Sequence, residues 1–312
     1  MRTRKSFEAG RSVRPPQIKM LGRELVSDIV EEIFDYPAHV SELNALLCRV
    51  PVDLKAVAEI IRSQPQLSAS ITHLCRLTMP GFHDQPAGVE HGIVFLGIDQ
   101  MRTLILACCM VSDLGAGYST EQIRSFWRHS VLTASLAERI ARYMDYPSPA
   151  DAYRAGLFHD AGALALVRWA IRTRGPEAMD NTLGGELVEV ERRRLRVDHC
   201  FAGKLIGQAW KLPAEIIDVL EFHHQPEASP GDRTLVGIVA AADRFCVERG
   251  IQFQLQPQPA SSLPPGNLHQ LLGQWVPGMG DESVRQLKDV LEITYLQKVT
   301  DFERGRSSLF CE

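Results

Sequence analysis

Seven side chains between positions 129 and 243 of this sequence could share one piece of chemistry: His129, His159, Asp160, His199, His223, His224 and Asp243. Imidazole with carboxylate suits a divalent transition metal such as zinc, iron, manganese or nickel. Two such ions sharing a bridging aspartate could activate a water and clamp a phosphate. Each residue also has a plainer reading. His129, in Trp-Arg-His-Ser, shares a helical stripe with Phe126, Leu132, Leu136 and Ile140. Alone, it suits a hydrogen-bonded core histidine. His159 and Asp160 are adjacent in Gly-Leu-Phe-His-Asp-Ala-Gly. Adjacent helical positions point about 100° apart, so both reach one centre only near a helix end. Gly162 is placed to end that helix. A second pair, His83-Asp84, lies in a Pro/Gly-rich stretch and is assigned no role.

His199 follows Asp198, a capping residue for a helix running to Trp210. His223 and His224 end the next helix, on the face of Ile216 and Leu220. Asp243 has Val236, Val239 and Cys246 as neighbours at helical spacing. A carboxylate on an inward apolar face is costly unless paired or coordinated, so Asp243 is the least ordinary of the set. Spacing alone does not choose between a metal centre and unrelated core and surface histidines.

The elements that must position these residues read as helices. Leu43, Leu46 and Leu47 fall at helical spacing, as do Leu54, Val57, Ile60 and Ile61 behind a capping Asp53. Pro65 opens a segment with Leu67, Ile71 and Leu74 on one face. Residues 78–92 read as a loop, and Ile93 to Val111 as a helix broken near Gly97. Residues 112–120 form a junction, where Ser119 and Gln122 make a capping box for the next helix. A second helical region runs to about Gly250, and the Gln- and Pro-rich residues 251–266 read as a linker. Asp281 to about Arg304 closes the chain as an amphipathic helix with Val284, Leu287, Leu291 and Tyr295 inside. No run alternates with period two, so the expectation is an all-α fold of two helical lobes; dinucleotide-binding and P-loop folds have no support.

The balance of 34 Lys+Arg against 38 Asp+Glu argues against coating nucleic acid by bulk charge. Arg2, Arg4, Lys5, Arg11, Arg14 and Lys19 face only Glu8 in residues 1–19, which reads as a solvated basic arm. Contact of that arm with nucleic acid or an acidic partner is the sharper alternative. The 7 cysteines are odd in number and form no C-x-x-C, which points to reduced core thiols and a cytoplasmic setting. The most apolar stretch, Thr103 to Val111, is far shorter than the roughly 20 residues of a membrane helix.

The order His, His-Asp, His, His-His, Asp resembles the HD superfamily of metal-dependent phosphohydrolases. More closely, residues 25–250 resemble the HDOD domain, a bacterial signalling relative of the HD and HD-GYP domains. The matching pieces are WRHSVLTASLAERIA, AGLFHDAGALAL, DHCFAGKLIGQAWKLPAEIIDVLEFHHQP and IVAAADRF, with LKAVAEIIRSQPQLSASITHLCRL and VEHGIVFLGIDQMRTLIL in the first half. The resemblance implies a two-lobed helical fold: residues 21–112 as an N-terminal lobe and 119–250 as an HD-like lobe. Residues 1–20 are then an arm, and 251–312 a linker with a C-terminal helical extension. It implies metal ligands at His129, His159, Asp160 and Asp243. By similarity to HD-GYP domains, His199, His223 and His224 complete a two-metal site bridged by Asp160. One or two iron, manganese, nickel or zinc ions are expected, with no organic cofactor.

The departures bear on activity. Ala163 stands where HD-GYP domains carry a phosphate-binding lysine, the Gly-Tyr-Pro loop is absent, and Ser125 replaces an occasional glutamate. In the first block, Gln64-Pro65 replaces the usual Asp-Pro, and Arg76-Leu77-Thr78 the Asn-Ser segment. The expected function is therefore a regulatory signalling module with weak or no catalysis, acting through a protein partner and not at a membrane. The alternative is a metal-dependent phosphohydrolase or phosphodiesterase acting on a nucleotide or cyclic dinucleotide. Arg168, Arg172 or Arg244 are the candidates to replace the lysine.

Overall fold

Caps and apolar stripes set the helix boundaries in the computed structural model, which describes residues 38–47, 49, 51–78, 89–115, 117–175, 187–253 and 280–309. The first lobe holds α1 (Ala38–Leu47), α2 (Leu54–Arg62), α3 (Pro65–Thr78) and α4 (Val89–Leu114). Asp53 opens α2 by accepting the Ala56 N–H at 3.0 Å. Leu43, Leu47, Val57, Ile61, Leu67, Ile71 and Leu74 are buried, as their spacing predicts, whereas Leu54 in the first turn of α2 is exposed and Ile60 half-buried. Helices α3 and α4 pack on each other. The expected break in α4 is a kink at Gly97, whose φ of 77° favours glycine. Of the stretch 78–92 expected as a loop, Thr78 belongs to α3 and residues 89–92 to α4, while 79–88 lie outside the described residues.

The second lobe is built on α5 (Thr120–Tyr143), which packs against α6 (Pro149–Phe158). The Ser119–Gln122 capping box starts α5, with both reciprocal hydrogen bonds formed. The lobe continues with α7 (Ala161–Arg174), α8 (Leu187–Leu195), α9 (His199–Ala209) and α10 (Ala214–Phe222). A 3-10 turn (Pro226–Ala228) leads to α11 (Arg233–Glu248). Helix α11 packs on α5, α9 packs on α7 and α10, and α12 (Asp281–Leu309) lies against α5 and α3. Val284, Leu287 and Leu291 are the buried face of α12, and Tyr295 packs at its edge.

Gly162 does not end a helix. The chain leaves α6 at Phe158 and re-enters helix at Ala161, so Gly162 lies inside α7. A β-carbon there would sit 2.0 Å from the His199 carbonyl oxygen and 2.4 Å from Gly203 N. Glycine at this position permits the close approach of α7 to α9, which brings Asp160 and His199 together.

The fold is all-α, and no strand occurs among the described residues. No helix among them is long and apolar enough to cross a membrane. Cys75, Cys108, Cys109, Cys200 and Cys246 are buried free thiols. The basic arm at residues 1–20, His83-Asp84, Cys48, Cys311 and linker residues 254–266 lie outside the described residues.

Candidate metal centre

All seven sequence-predicted side chains come together in one centre. His129 stands mid-helix on α5 and Asp243 mid-helix on α11. His159 caps the C-terminus of α6, and Asp160 occupies the N-cap of α7. His199 is the first residue of α9, while His223 caps the C-terminus of α10 with His224 directly after it. Five of the seven thus sit at or beside helix ends, where one short segment can turn side chains toward a common point.

Asp160 lies in the middle. Its Oδ2 is 3.2 Å from His129 Nε2 and 3.5 Å from His159 Nε2. Its Oδ1 is 3.5 Å from both His199 Nε2 and His223 Nε2. Asp243 Oδ1 closes the first half, 3.2 Å from His129 Nε2 and 3.8 Å from His159 Nε2. His224 closes the second half, its Nε2 3.1 Å from His199 Nε2. Asp160, although at an N-cap, makes no side-chain capping bond, whereas Asp198 accepts the Phe201 N–H at 2.9 Å to cap α9. The cap that Asp160 forgoes is worth about 1 kcal/mol.

The imidazole tautomers follow from their outer nitrogens. His129 Nδ1 donates to the Ile251 carbonyl at 3.1 Å. His159 and His223 turn back onto their own helices, donating to Gly156 at 2.8 Å and Val219 at 3.0 Å. His199 Nδ1 donates to Glu191 Oε2 at 2.7 Å. The Nε2 atoms all face inward, and they meet at 3.1 Å between His129 and His159 and at 3.3 Å between His199 and His223. At these distances each facing pair of nitrogens needs positive charge between them, a proton on one ring or a metal ion. This is the arrangement that metal-ligating histidines adopt, one nitrogen anchored and the other free.

The electrostatics agree. Burial by itself lowers the His129 pKa, but hydrogen bonds and charge from Asp160 and Asp243 outweigh it and push it up to about 10. Burial raises the Asp160 pKa; the charge of His159 and hydrogen bonds from His129 and His223 more than offset it and hold the carboxyl well below the usual range. Asp243 is held down in the same way, burial being outweighed by His129 and His159. The centre attracts cations and keeps its carboxylates ionised. His224 is its most exposed member and marks the side open to solvent.

Two residues near the centre escaped the sequence reading. Glu191 on α8 is fully buried and joined to His199. Its signal was available, because Val188, Glu191 and Leu195 share one helical stripe, the pattern that marks Asp243. Cys200, read as a small core residue, places its sulfur with donor atoms of His199, His223 and His224, all within 4.8 Å of one another. Ser125, at the glutamate position, donates to the Gln252 carbonyl at 3.2 Å. The residues after α11 therefore cross α5 as a strap, with Phe253 set edge-on to Phe126 at 5.6 Å.

Of the candidate arginines, two lie far along their helix from Asp160 and the third contacts a glutamate of its own helix. Arg168 and Arg172 lie 8 and 12 residues after Asp160 on the helix it starts, which at 1.5 Å per residue is roughly 12 and 18 Å along the axis. Arg244 Nε lies 3.4 Å from Glu248 Oε1 on the same helix. Ala163 itself is fully buried.

Comparison with known proteins agrees with this architecture. An HDOD domain protein from Geobacter sulfurreducens superposes with a TM-score of 0.61 at 20% identity, covering 92% of this chain and all of that one. A Shewanella amazonensis protein provisionally described as a phosphohydrolase gives a TM-score of 0.66 at 20% identity, covering 90% of this chain and 97% of its own. An uncharacterized Treponema pallidum protein is 22% identical over 236 residues, and this chain spans only 43% of its length. The HDOD domain profile matches residues 33–226, from ahead of α1 to the start of the 3-10 turn, and stops before Asp243. With well over half of its length matched, the chain belongs to the HDOD domain family.

Proposed function

We propose that this protein is a regulatory module of signal transduction that carries a two-metal centre and has little or no turnover. The observation that supports it is the pairing of a complete ligand set with a missing phosphate grip. The two oxygens of Asp160 face two separate histidine groups, while the lysine position beside it is a buried alanine. His129, His159, Asp160 and Asp243 would hold one divalent ion; Asp160, His199, His223 and His224 would hold the other. Nitrogen and carboxylate donors of this kind suit iron, manganese, nickel or zinc. Bound there, two cations supply Lewis-acid polarisation of a phosphoryl oxygen. The protein's own part is to keep the imidazoles in one tautomer, exclude water from the inner face and present His224 outward. Phosphoryl transfer also needs positioned positive charge around the phosphate, which Ala163 does not provide. The module would act through a protein partner that reads the metal-loaded or ligand-bound state.

A second reading, hydrolysis of a nucleotide or cyclic dinucleotide, is favoured by one observation: the exposed His224 opens the centre to solvent on one side. One experiment separates the two. Protein purified without a histidine tag is analysed for metal, then assayed against phosphomonoesters, phosphodiesters and cyclic dinucleotides beside Asp160→Asn. The expected result is up to two metal equivalents in the wild type and turnover near background. Robust metal-dependent hydrolysis, lost in Asp160→Asn, would overturn the regulatory reading in favour of the enzymatic one.

A further inference from the structure

Three of the imidazoles in the centre are anchored on neutral backbone carbonyls: His129 on Ile251, His159 on Gly156 and His223 on Val219. His199 is anchored on a carboxylate. Glu191 Oε2 accepts from His199 Nδ1 at 2.7 Å and from the His199 backbone N–H at 2.9 Å. The glutamate is fully buried. The neighbouring Arg192 does not neutralise it, since that guanidinium turns to Asp198 at 2.5 Å. The other oxygen, Oε1, has no hydrogen-bond partner among the described residues. A buried carboxylate in this state is costly unless positive charge lies nearby. The residue it hydrogen-bonds among the described residues, His199, leads straight through an imidazole ring to the metal-facing Nε2.

The two halves of the centre also differ in charge. The first half has a carboxylate of its own, Asp243, besides its share of Asp160. The second half has three imidazoles and only a share of Asp160. Two divalent cations bring four positive charges against the two negative charges of Asp160 and Asp243. Glu191 supplies a third negative charge, on the side that lacks one.

We infer that Glu191 is a positioning residue that strengthens metal binding in the His199, His223 and His224 half and not in the other. The inference rests on the two-metal reading above. Glu191 acts through His199: it fixes the Nδ1–H tautomer, pins the ring at both its side chain and its backbone, and enriches Nε2 in electron density. Outer partners of this kind change metal affinity by about 10- to 100-fold.

The test is a cobalt(II) titration of the metal-stripped full chain, followed by calorimetry and by the visible ligand-field spectrum. The wild type is expected to bind two equivalents in separate steps. Glu191→Gln keeps the shape and an acceptor oxygen but removes the charge. It should weaken one of the two steps by about 10- to 100-fold and leave the other unchanged. Asp243→Asn should do the reverse. A Glu191→Gln protein that titrates like the wild type, or that weakens both steps alike, overturns the inference while the two-metal reading stands. A wild type that takes up no cobalt overturns that reading and this inference with it. Should Glu191→Gln fail to fold, nitrogen-15 NMR of labelled histidine in the zinc-loaded wild type asks the same question. The Nδ1 proton of His199 should resonate downfield of those of His129, His159 and His223, and coincidence of the four would overturn the assignment.

Discussion

The two halves of the centre are held by different means. In the first, His159 stands at a helix end, but His129 and Asp243 stand within α5 and α11, two long helices packed on each other, with Leu132, Leu136, Val239 and Phe245 fully buried. In the second, His199, His223 and His224 stand at the ends of the shorter helices α9 and α10. Mid-helix ligands take their rigidity from the core around them. Ligands at helix ends depend on caps, on the close contact at Gly162 and on a single outer carboxylate, and His224 among them is exposed. The first half is thus built as part of the scaffold, and the second as the side that meets solvent and any ligand.

Asp160 joins the halves, so its removal should have the largest effect. Asp160→Asn is expected to cost both metal equivalents, because the bridge loses the charge that offsets two cations. Two tight equivalents surviving by metal analysis would show the halves to be independent. Asp243→Asn should cost one equivalent only and spare the His199 half; loss of both would mean that the scaffold half organises the other.

Chelation tests the contribution of the ions to folding. A ligand at 100 times its Kd stabilises the native state by about 2.7 kcal/mol per site. Stripping the metal should therefore lower the thermal midpoint by several degrees, at roughly 2–4 °C per kcal/mol for a domain of this size. An unchanged midpoint by calorimetry would mean that the ligands hold together without the ions. Gly162→Ala should destabilise the protein by about 1–3 kcal/mol, since its methyl group meets the backbone of α9 rather than a yielding side chain. The denaturant midpoint reads this directly, and a neutral result would show that α7 and α9 can separate. The smallest effect is expected at Ser125→Ala, below about 1 kcal/mol for one half-buried hydroxyl bond to Gln252. Metal content should not change; a lost equivalent would place Ser125 among the groups that support His129.

Much of this molecule is legible in short-range pattern. Asp53, the Ser119–Gln122 box and Asp198 cap the helices they precede, and most of the apolar stripe residues of α2, α3 and α12 are buried as their spacing predicts. These features are readable because a cap or a stripe is decided by residues three or four positions apart, within reach of one helical turn. The candidate ligands could be named as a set by their order and by likeness to a family, yet spacing alone left a metal centre and scattered histidines equally open.

Tertiary structure decided the rest. Gly162 looked like a helix terminator from its neighbours, but it is a contact point with α9, 41 positions away at Gly203. His129 is oriented by a carbonyl 122 positions away at Ile251. Glu191 belongs to the centre only because α8 and α9 bring it against His199. Asp160 could be read as a helix cap, and it stands at the middle of the centre because histidines from four separate helices arrive on its two sides. Local sequence determines which helices form and which faces they bury, because those free energies are set within a turn. Which lone pair meets which proton is set by the packing of whole helices, and no local spacing encodes that distance.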